Sequence, residues 1–210
     1  MKQIVIIGFG GFGREVAWLA KDCGRSVLGF LDDKAEPGLH GAYNVLGKVA
    51  EWKKFANAEF VVAIGSPRVR KKVVDQLLSE GLEAFATLVH PSVMMDESVK
   101  VGKGTVICAG TIATVDISIG EHVILNLNVT VGHDDIIHDF VTVAPMVALS
   151  GNVTLFPGAE VGTGAAIRQG VEMAAGSMLG MGGVLTKNTE ENTIYIGSPA
   201  KVFKPLPEFI

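Results

Sequence analysis

From Val101 to Leu185 an apolar residue returns at every sixth position without a break: Val101, Ile107, Ala113, Ile119, Leu125, Val131, Ile137, Val143, Leu149, Leu155, Val161, Ile167, Met173, Leu179 and Leu185. No helix of period 3.6 and no simple strand of period 2 produces that beat. The next position is mostly small, as in Gly102, Gly120, Gly132, Gly162 and Gly180, and the fifth is mostly small or β-branched, as in Thr105, Val123, Val141 and Ala159. Six residues per flat side fit a hexapeptide β-helix, in which each apolar residue points inward and stacks on its equivalents in neighbouring coils. Small residues allow tight corners, and β-branched ones suit a flat, half-buried wall. With three sides to a coil the repeat is eighteen residues, so this stretch holds nearly five coils.

Ahead of the repeat the pattern changes. Lys2 to Ile7 is a short apolar run that leads into Gly8-Phe9-Gly10-Gly11-Phe12-Gly13 and then a helical stretch through Lys21. Strand, glycine turn and helix in that order let a backbone approach a phosphate, which then meets the free N–H groups of the helix start. A second strand, Ser26 to Leu31, ends in Asp32-Asp33, where an acid can accept bonds from a ribose or a base. A third, Glu59 to Ile64, ends in Gly65-Ser66, with Arg68 and Arg70 opening the next helix, and a fourth, around Ala84 to Val89, leads through His90-Pro91 into the repeat. The alternation predicts a parallel Rossmann-like sheet with a ligand at its carboxyl edge, in about half the length of a full dinucleotide fold. The expected domains are 1–88, an α/β nucleotide-binding unit, and 89–210, an all-β parallel β-helix with a C-terminal tail.

Inside a regular solenoid the residues that violate the pattern are informative, because packing alone would not select them. The densest break runs from His133 through Asp134 and Asp135 to His138 and Asp139. His133 is the candidate general base, since an imidazole can take a proton near neutrality. Asp134 orients it only if the pair sits at a corner, because neighbours on an extended chain face opposite ways. Gly151, one coil on and about 4.8 Å up the stack, offers a bare N–H for an oxygen that develops charge. His138 lies up to about 16 Å along the chain from His133, too far for both to hold one metal within a chain. His90 and His122 read as corner caps, and Phe156 and Arg168 as contacts to another subunit or domain. Cys23 and Cys108 read as reduced core residues.

The 210-residue chain is 48% apolar and 19% charged with a net charge of −4, and no basic run or stripe marks a nucleic-acid or anionic-membrane surface. Its opening apolar run is far too short to span a bilayer, so no membrane insertion and a cytoplasmic setting are expected.

Taken together, the GFGGFG start, Asp32-Asp33, IGSPRVRKK, VHPS, VGHD and LGMGGVLTKN…IGSPAK resemble the two-domain bacterial hexapeptide-repeat sugar acetyltransferases, of the sialic acid O-acetyltransferase and nucleotide-4-amino-sugar N-acetyltransferase type. The resemblance covers essentially the whole chain. It implies that the β-helix is left-handed, that three copies form a homotrimer with active sites between subunits, and that acetyl-CoA is the co-substrate, with no metal. The reaction implied is acetylation of a sugar, above all the amino group of a nucleotide-linked amino sugar for surface glycan synthesis. His133 would be the base and Asp134 its partner. Thr142, Gly151, Gly180, Gly182, Lys187, Pro199 and Lys201 would lie along acetyl-CoA, with Gly151 binding the acetyl carbonyl. Gly8, Gly10, Gly11, Phe12, Asp32, Asp33, Gly65, Ser66 and Arg70 would hold the nucleotide. The chain departs from many relatives at Phe12, where they carry histidine, at His138, where they carry glycine, and at Thr142, where some place a second histidine. Competing readings are O-acetylation of a free sugar, a β-helix zinc hydratase of the γ-carbonic anhydrase type, which lacks a third histidine here, and a non-catalytic scaffold.

Overall fold

The computed structural model describes residues 2–210. Strand β1 (Ile4–Ile7) is fully buried and lies inside the first sheet, one strand in from its edge. It pairs in parallel with β2 (Val27–Leu31) on one side and with β5 (Glu59–Val62) on the other. A hairpin of β3 (Gly38–His40) and β4 (Tyr43–Gly47), not anticipated from sequence, extends the sheet beyond β2, and only β3 runs antiparallel.

Helix α1 (Gly11–Asp22) buries Val16, Leu19 and Ala20, one stripe at i, i+3 and i+4, and helix α2 (Pro67–Ser79) buries Val74 and Leu77. Gly13 must be glycine because a Cβ there would overlap the carbonyl oxygen of Gly8, so the helix could not sit so close to its loop. The α1 stripe packs in one cluster with Ile4, Ile6 and Phe30 of the sheet and with Leu88, Val106 and Cys108 of the β-helix. The two halves therefore share a core.

The expected fourth strand does not form as a unit. Phe85 makes a single parallel bridge to Phe60, while Leu88–Val89 leaves the sheet and becomes the first rung of the β-helix by pairing with Val106–Ile107. The six-residue beat thus starts two hexads before Val101, at Val89 and Met95.

Two-residue strands then wind through three parallel sheets with an eighteen-residue register, as in Ile112↔Thr130 and Thr130↔Ala148. The first face runs from Leu88–Val89 through Ile124–Leu125 and Thr142–Val143 to Met178–Leu179. The second carries Thr130–Val131 and the third Ile136–Ile137. Both inward columns of the hexad are buried, including Leu125, Val131, Ile137, Val143, Val129 and Val141. Corners between the second and third faces turn through residues with positive φ, namely Asp116, Asp134 and Asn152, residue types that accept this conformation. The chain ends in a hairpin, Thr193–Gly197 with Ala200–Pro205, that caps the first face. Among the described residues no helix is long and apolar enough to cross a membrane.

Candidate active site

His133 sits at the corner between the second and third faces. Asp134 follows it with φ +61°, and that left-handed turn folds its carboxylate back onto the imidazole, Nδ1 to Oδ2 at 2.7 Å. The corner condition set by the sequence is met. With Nδ1–H donating to the carboxylate, Nε2 is left with its lone pair free. Both side chains are about half exposed (53% each). One coil on, the backbone of Gly151 passes beneath the ring, and a Cβ there would stand only 2.5 Å from Nε2. Among the described residues the Gly151 N–H donates to no acceptor, whereas the next N–H, of Asn152, donates to the His133 carbonyl at 2.8 Å. Base, orienting carboxylate and free amide donor are thus assembled by two rungs of one corner.

A second site lies at the carboxyl edge of the first sheet. A cavity of about 450 Å³ is lined by Gly8, Gly10, Gly11, Phe12, Asp32, Asp33, Lys34 and Gly65, with apolar walls from Ile7, Val49, Val69 and Val73. That size suits a small organic ligand. Asp32 organises the cavity itself: Oδ2 accepts the Phe9 N–H at 2.7 Å, and Oδ1 accepts those of Lys34 and Ala35. Burial would raise its carboxyl, but these three backbone bonds outweigh it and hold the group below the usual carboxylate range. Asp33 Oδ1 accepts the Val49 N–H at 2.9 Å, and its Oδ2 has no partner among the described residues. Of the two acids, Asp33 is the freer acceptor. Ser66 is exposed beside the cavity but outside its lining.

Arg70 does not face the cavity, which corrects the expectation that it binds nucleotide. It is 1% exposed, and its donors are taken by carbonyls and one hydroxyl. Nε donates to His122 O; Nη1 to Ile64 O and Gly65 O; Nη2 to Phe140 O, Val141 O and Thr142 Oγ1. With every N–H occupied, the guanidinium has nothing left for a phosphate. Desolvation lowers its pKa to about 9, with Glu160 opposing. Arg68 is likewise a fastener: it donates to Pro207 O, Gly176 O and Asn192 Oδ1 and pins the C-terminal tail. The Thr142 hydroxyl, expected near an acetyl group, donates to Gly65 O at 2.8 Å and belongs to the same seam. Next to that seam Phe12, Glu15, Asn126, Thr142 and Pro145 line a smaller cleft of about 310 Å³, which shares Phe12 and Gly65 with the larger cavity.

The family described as the PglD N-terminal domain matches residues 3–77. PerB from Caulobacter crescentus, solved with CoA and GDP-perosamine, is 30% identical, with 97% of this chain and 98% of that one covered and a TM-score of 0.89. The chain belongs to the two-domain hexapeptide-repeat sugar acetyltransferases. The acetyltransferase domain of PglB from Neisseria gonorrhoeae is 27% identical over 97% of this chain and 100% of that one, with a TM-score of 0.89. A Bacillus subtilis UDP-N-acetylbacillosamine N-acetyltransferase is 33% identical over 114 residues, and this alignment spans about half of either chain (52% of each). These relatives bear out the resemblance read from the motifs.

Within this acetyltransferase the residues expected along acetyl-CoA fall on two different edges. Lys187 follows the last strand of the second face and so stands at the end of the His133–Gly151 column, about 14 Å from His133 at the spacing of stacked strands. Gly180, Gly182, Pro199 and Lys201 instead lie around the end of the first face, with Pro199 and Lys201 exposed in the hairpin. Among the described residues no three His, Cys, Asp or Glu side chains come together as a metal-binding group. His138 stacks on Phe156 one coil away, ring centroids 5.3 Å apart.

Two residues take a place in the structure that the sequence did not assign them. Asp135 is wholly buried, and its Oδ1 accepts the Val153 N–H at 2.7 Å. Its signal was an acid in a column otherwise filled by small and β-branched residues. His122 neither caps its corner nor binds a backbone group through its ring: it is buried between Phe85 and Phe140, with both ring nitrogens unpartnered among the described residues. His90 does behave as a cap, since its Nδ1 accepts the Ser92 N–H.

Proposed function

We propose that this protein transfers the acetyl group of acetyl-CoA to the amino group of a nucleotide-linked amino sugar. The observation that carries the reading is His133, held by Asp134 through Nδ1, with Nε2 directed over the bare Gly151 backbone. In this reading the acceptor amine gives a proton to Nε2 as its nitrogen attacks the thioester carbonyl carbon. The oxygen of that carbonyl becomes an oxyanion and accepts the Gly151 N–H. The C–S bond then breaks, and the CoA thiolate recovers the proton from His133. No covalent enzyme intermediate is required. Asp134 supports the imidazolium while it exists.

The nucleotide occupies the 450 Å³ cavity, its phosphates at the glycine loop and start of α1 and an N–H or O–H donor on Asp33. PerB, which is similar over nearly its whole length, was solved with a nucleotide sugar and CoA. Phe12 gives the cavity wall an apolar group beside those glycines.

The active unit in this proposal is a homotrimer. In one chain the smaller cleft opens against the first face, through Ile124 and Thr142, while His133 stands on the corner opposite that face. The CoA residues are divided in the same way. A neighbouring copy that lays its first-face cleft along this corner joins base, sugar and CoA, and exposed apolar groups such as Ile112, Val115 and Ile136 flank the corner.

The test is CoA thiol release against nucleotide-linked 4-amino sugars, sialic acid and its CMP form, and plain amines. Fast release with one nucleotide amino sugar supports the proposal, and release only with a free sugar replaces it with O-acetylation.

A further inference from the structure

Asp135 occupies the fifth position of its hexad, an inward column held elsewhere by Thr105, Val123, Val129, Val141, Val147 and Val153. Its side chain is 0% exposed, Oδ1 accepts the Val153 N–H at 2.7 Å, and Oδ2 has no partner among the described residues. Burial lifts its carboxyl to about 7, opposed by the backbone N–H groups of Val153 and Gly132 and by the His133 ring, and reinforced by Asp134. Packing alone would favour valine at such a place, because a buried carboxyl with an unpartnered oxygen costs stability.

The bond explains the choice. Val153 closes the corner Gly151-Asn152-Val153, and this corner is tied to the one beneath it twice: by Asn152 N–H to His133 O at 2.8 Å and by Val153 N–H to Asp135 Oδ1. Gly151 has no side chain and its own N–H makes no bond among the described residues; its carbonyl accepts the Gly170 N–H of the next coil at 3.1 Å, and the two flanking ties hold it to the coil that carries His133. We infer that Asp135 is a positioning residue for acetyl transfer: from inside the coil it fixes the corner that presents the Gly151 N–H against the corner that presents His133. The inference rests on the acetyl-transfer reading. The same inward column holds a second such tie, where Thr105 Oγ1 accepts the Val123 N–H at 3.0 Å, so a threonine can make it without charge.

That precedent gives the experiment. Asp135→Val removes the acceptor and suits the column, and Asp135→Thr keeps an acceptor. Asp135→Val is expected to melt at the wild-type temperature or above, to bind acetyl-CoA with unchanged Kd, and to lose about tenfold or more in kcat, since small displacements of an oxyanion donor are costly. Asp135→Thr should recover kcat to within about threefold of wild type. Backbone hydrogen exchange should quicken at Asn152 and Val153 in Asp135→Val alone. Wild-type kcat in Asp135→Val, or unaltered exchange at that corner, overturns the inference. A wild-type protein silent with every acceptor, but with the exchange difference intact, overturns the acetyl-transfer reading and leaves the positioning standing.

Discussion

Two places in this molecule concentrate polar side chains, the seam between the domains and the His133 corner, and they treat them in opposite ways. At the seam nearly every donor is engaged. Arg70, itself buried, and Thr142 bind the carbonyls of Ile64, Gly65, His122 and Phe140. At the corner the important groups are left open: Nε2 of His133 and the N–H of Gly151 have no partner among the described residues. A donor already satisfied holds structure together; one left free and rigidly placed can meet a charge that exists only during reaction. The contrast predicts that seam substitutions lower stability, whereas corner substitutions lower turnover and leave stability alone.

The largest effect expected is at the corner. His133→Ala should cut kcat by about 10² to 10⁴, the usual worth of a general base, with melting temperature and acetyl-CoA affinity near wild type. Retained turnover in that variant would break the contrast at its strongest point. Arg70→Met should act in the reverse sense and remove on the order of 3 kcal/mol or more in urea unfolding, because several buried carbonyls lose their donor together. Arg70→Lys should restore only part of this, as an ammonium lacks the fork that reaches both domains. Gly151→Ala should lower kcat roughly ten- to a hundredfold with little change in unfolding, because the added methyl meets His133 Nε2 at 2.5 Å.

A pH-dependent effect at the seam concerns His122, whose pKa is lowered from 6.5 to about 4 by desolvation first and then by Arg70 and Lys103. The folded state thus favours the neutral ring and the unfolded state takes up the proton more readily. Its contribution is present above pH 6.5 and is lost as the pH falls from there to about 4, by on the order of 3 kcal/mol in all. Unfolding measured at pH 7 and pH 4.5 should show this fall in the wild type and a flatter profile in His122→Phe. Equal profiles would mean that the seam tolerates a charge.

The β-helix was legible because one periodic column writes the whole solenoid, and because a corner is the only place where His133 and Asp134 can meet. The α/β half was legible only in outline. Its glycine loop and strand ends announced a ligand cavity, but β3 is three exposed residues and β4 only five, too short a pattern to mark them. Arg70 illustrates what pattern cannot supply. An arginine at the start of a helix that follows a glycine turn reads as an anion ligand, and only the packed β-helix reveals that carbonyls reach it first. Asp135 was visible as an irregularity, but its partner lies eighteen residues away and is a backbone N–H, which no residue type encodes.

The eighteen-residue register works like a reading frame. Deleting or inserting one hexad beyond His133 would advance the chain by a third of a turn, so that every later corner would face a different direction and Lys187 would leave the His133 column. Adding a whole eighteen residues after Gln169 would instead lengthen the column by one rung, keep every direction, and move Lys187 about 5 Å farther from His133. Chains built on this plan should therefore change length in whole coils, and the span between the base and the far end of its column is a ruler divided at that interval.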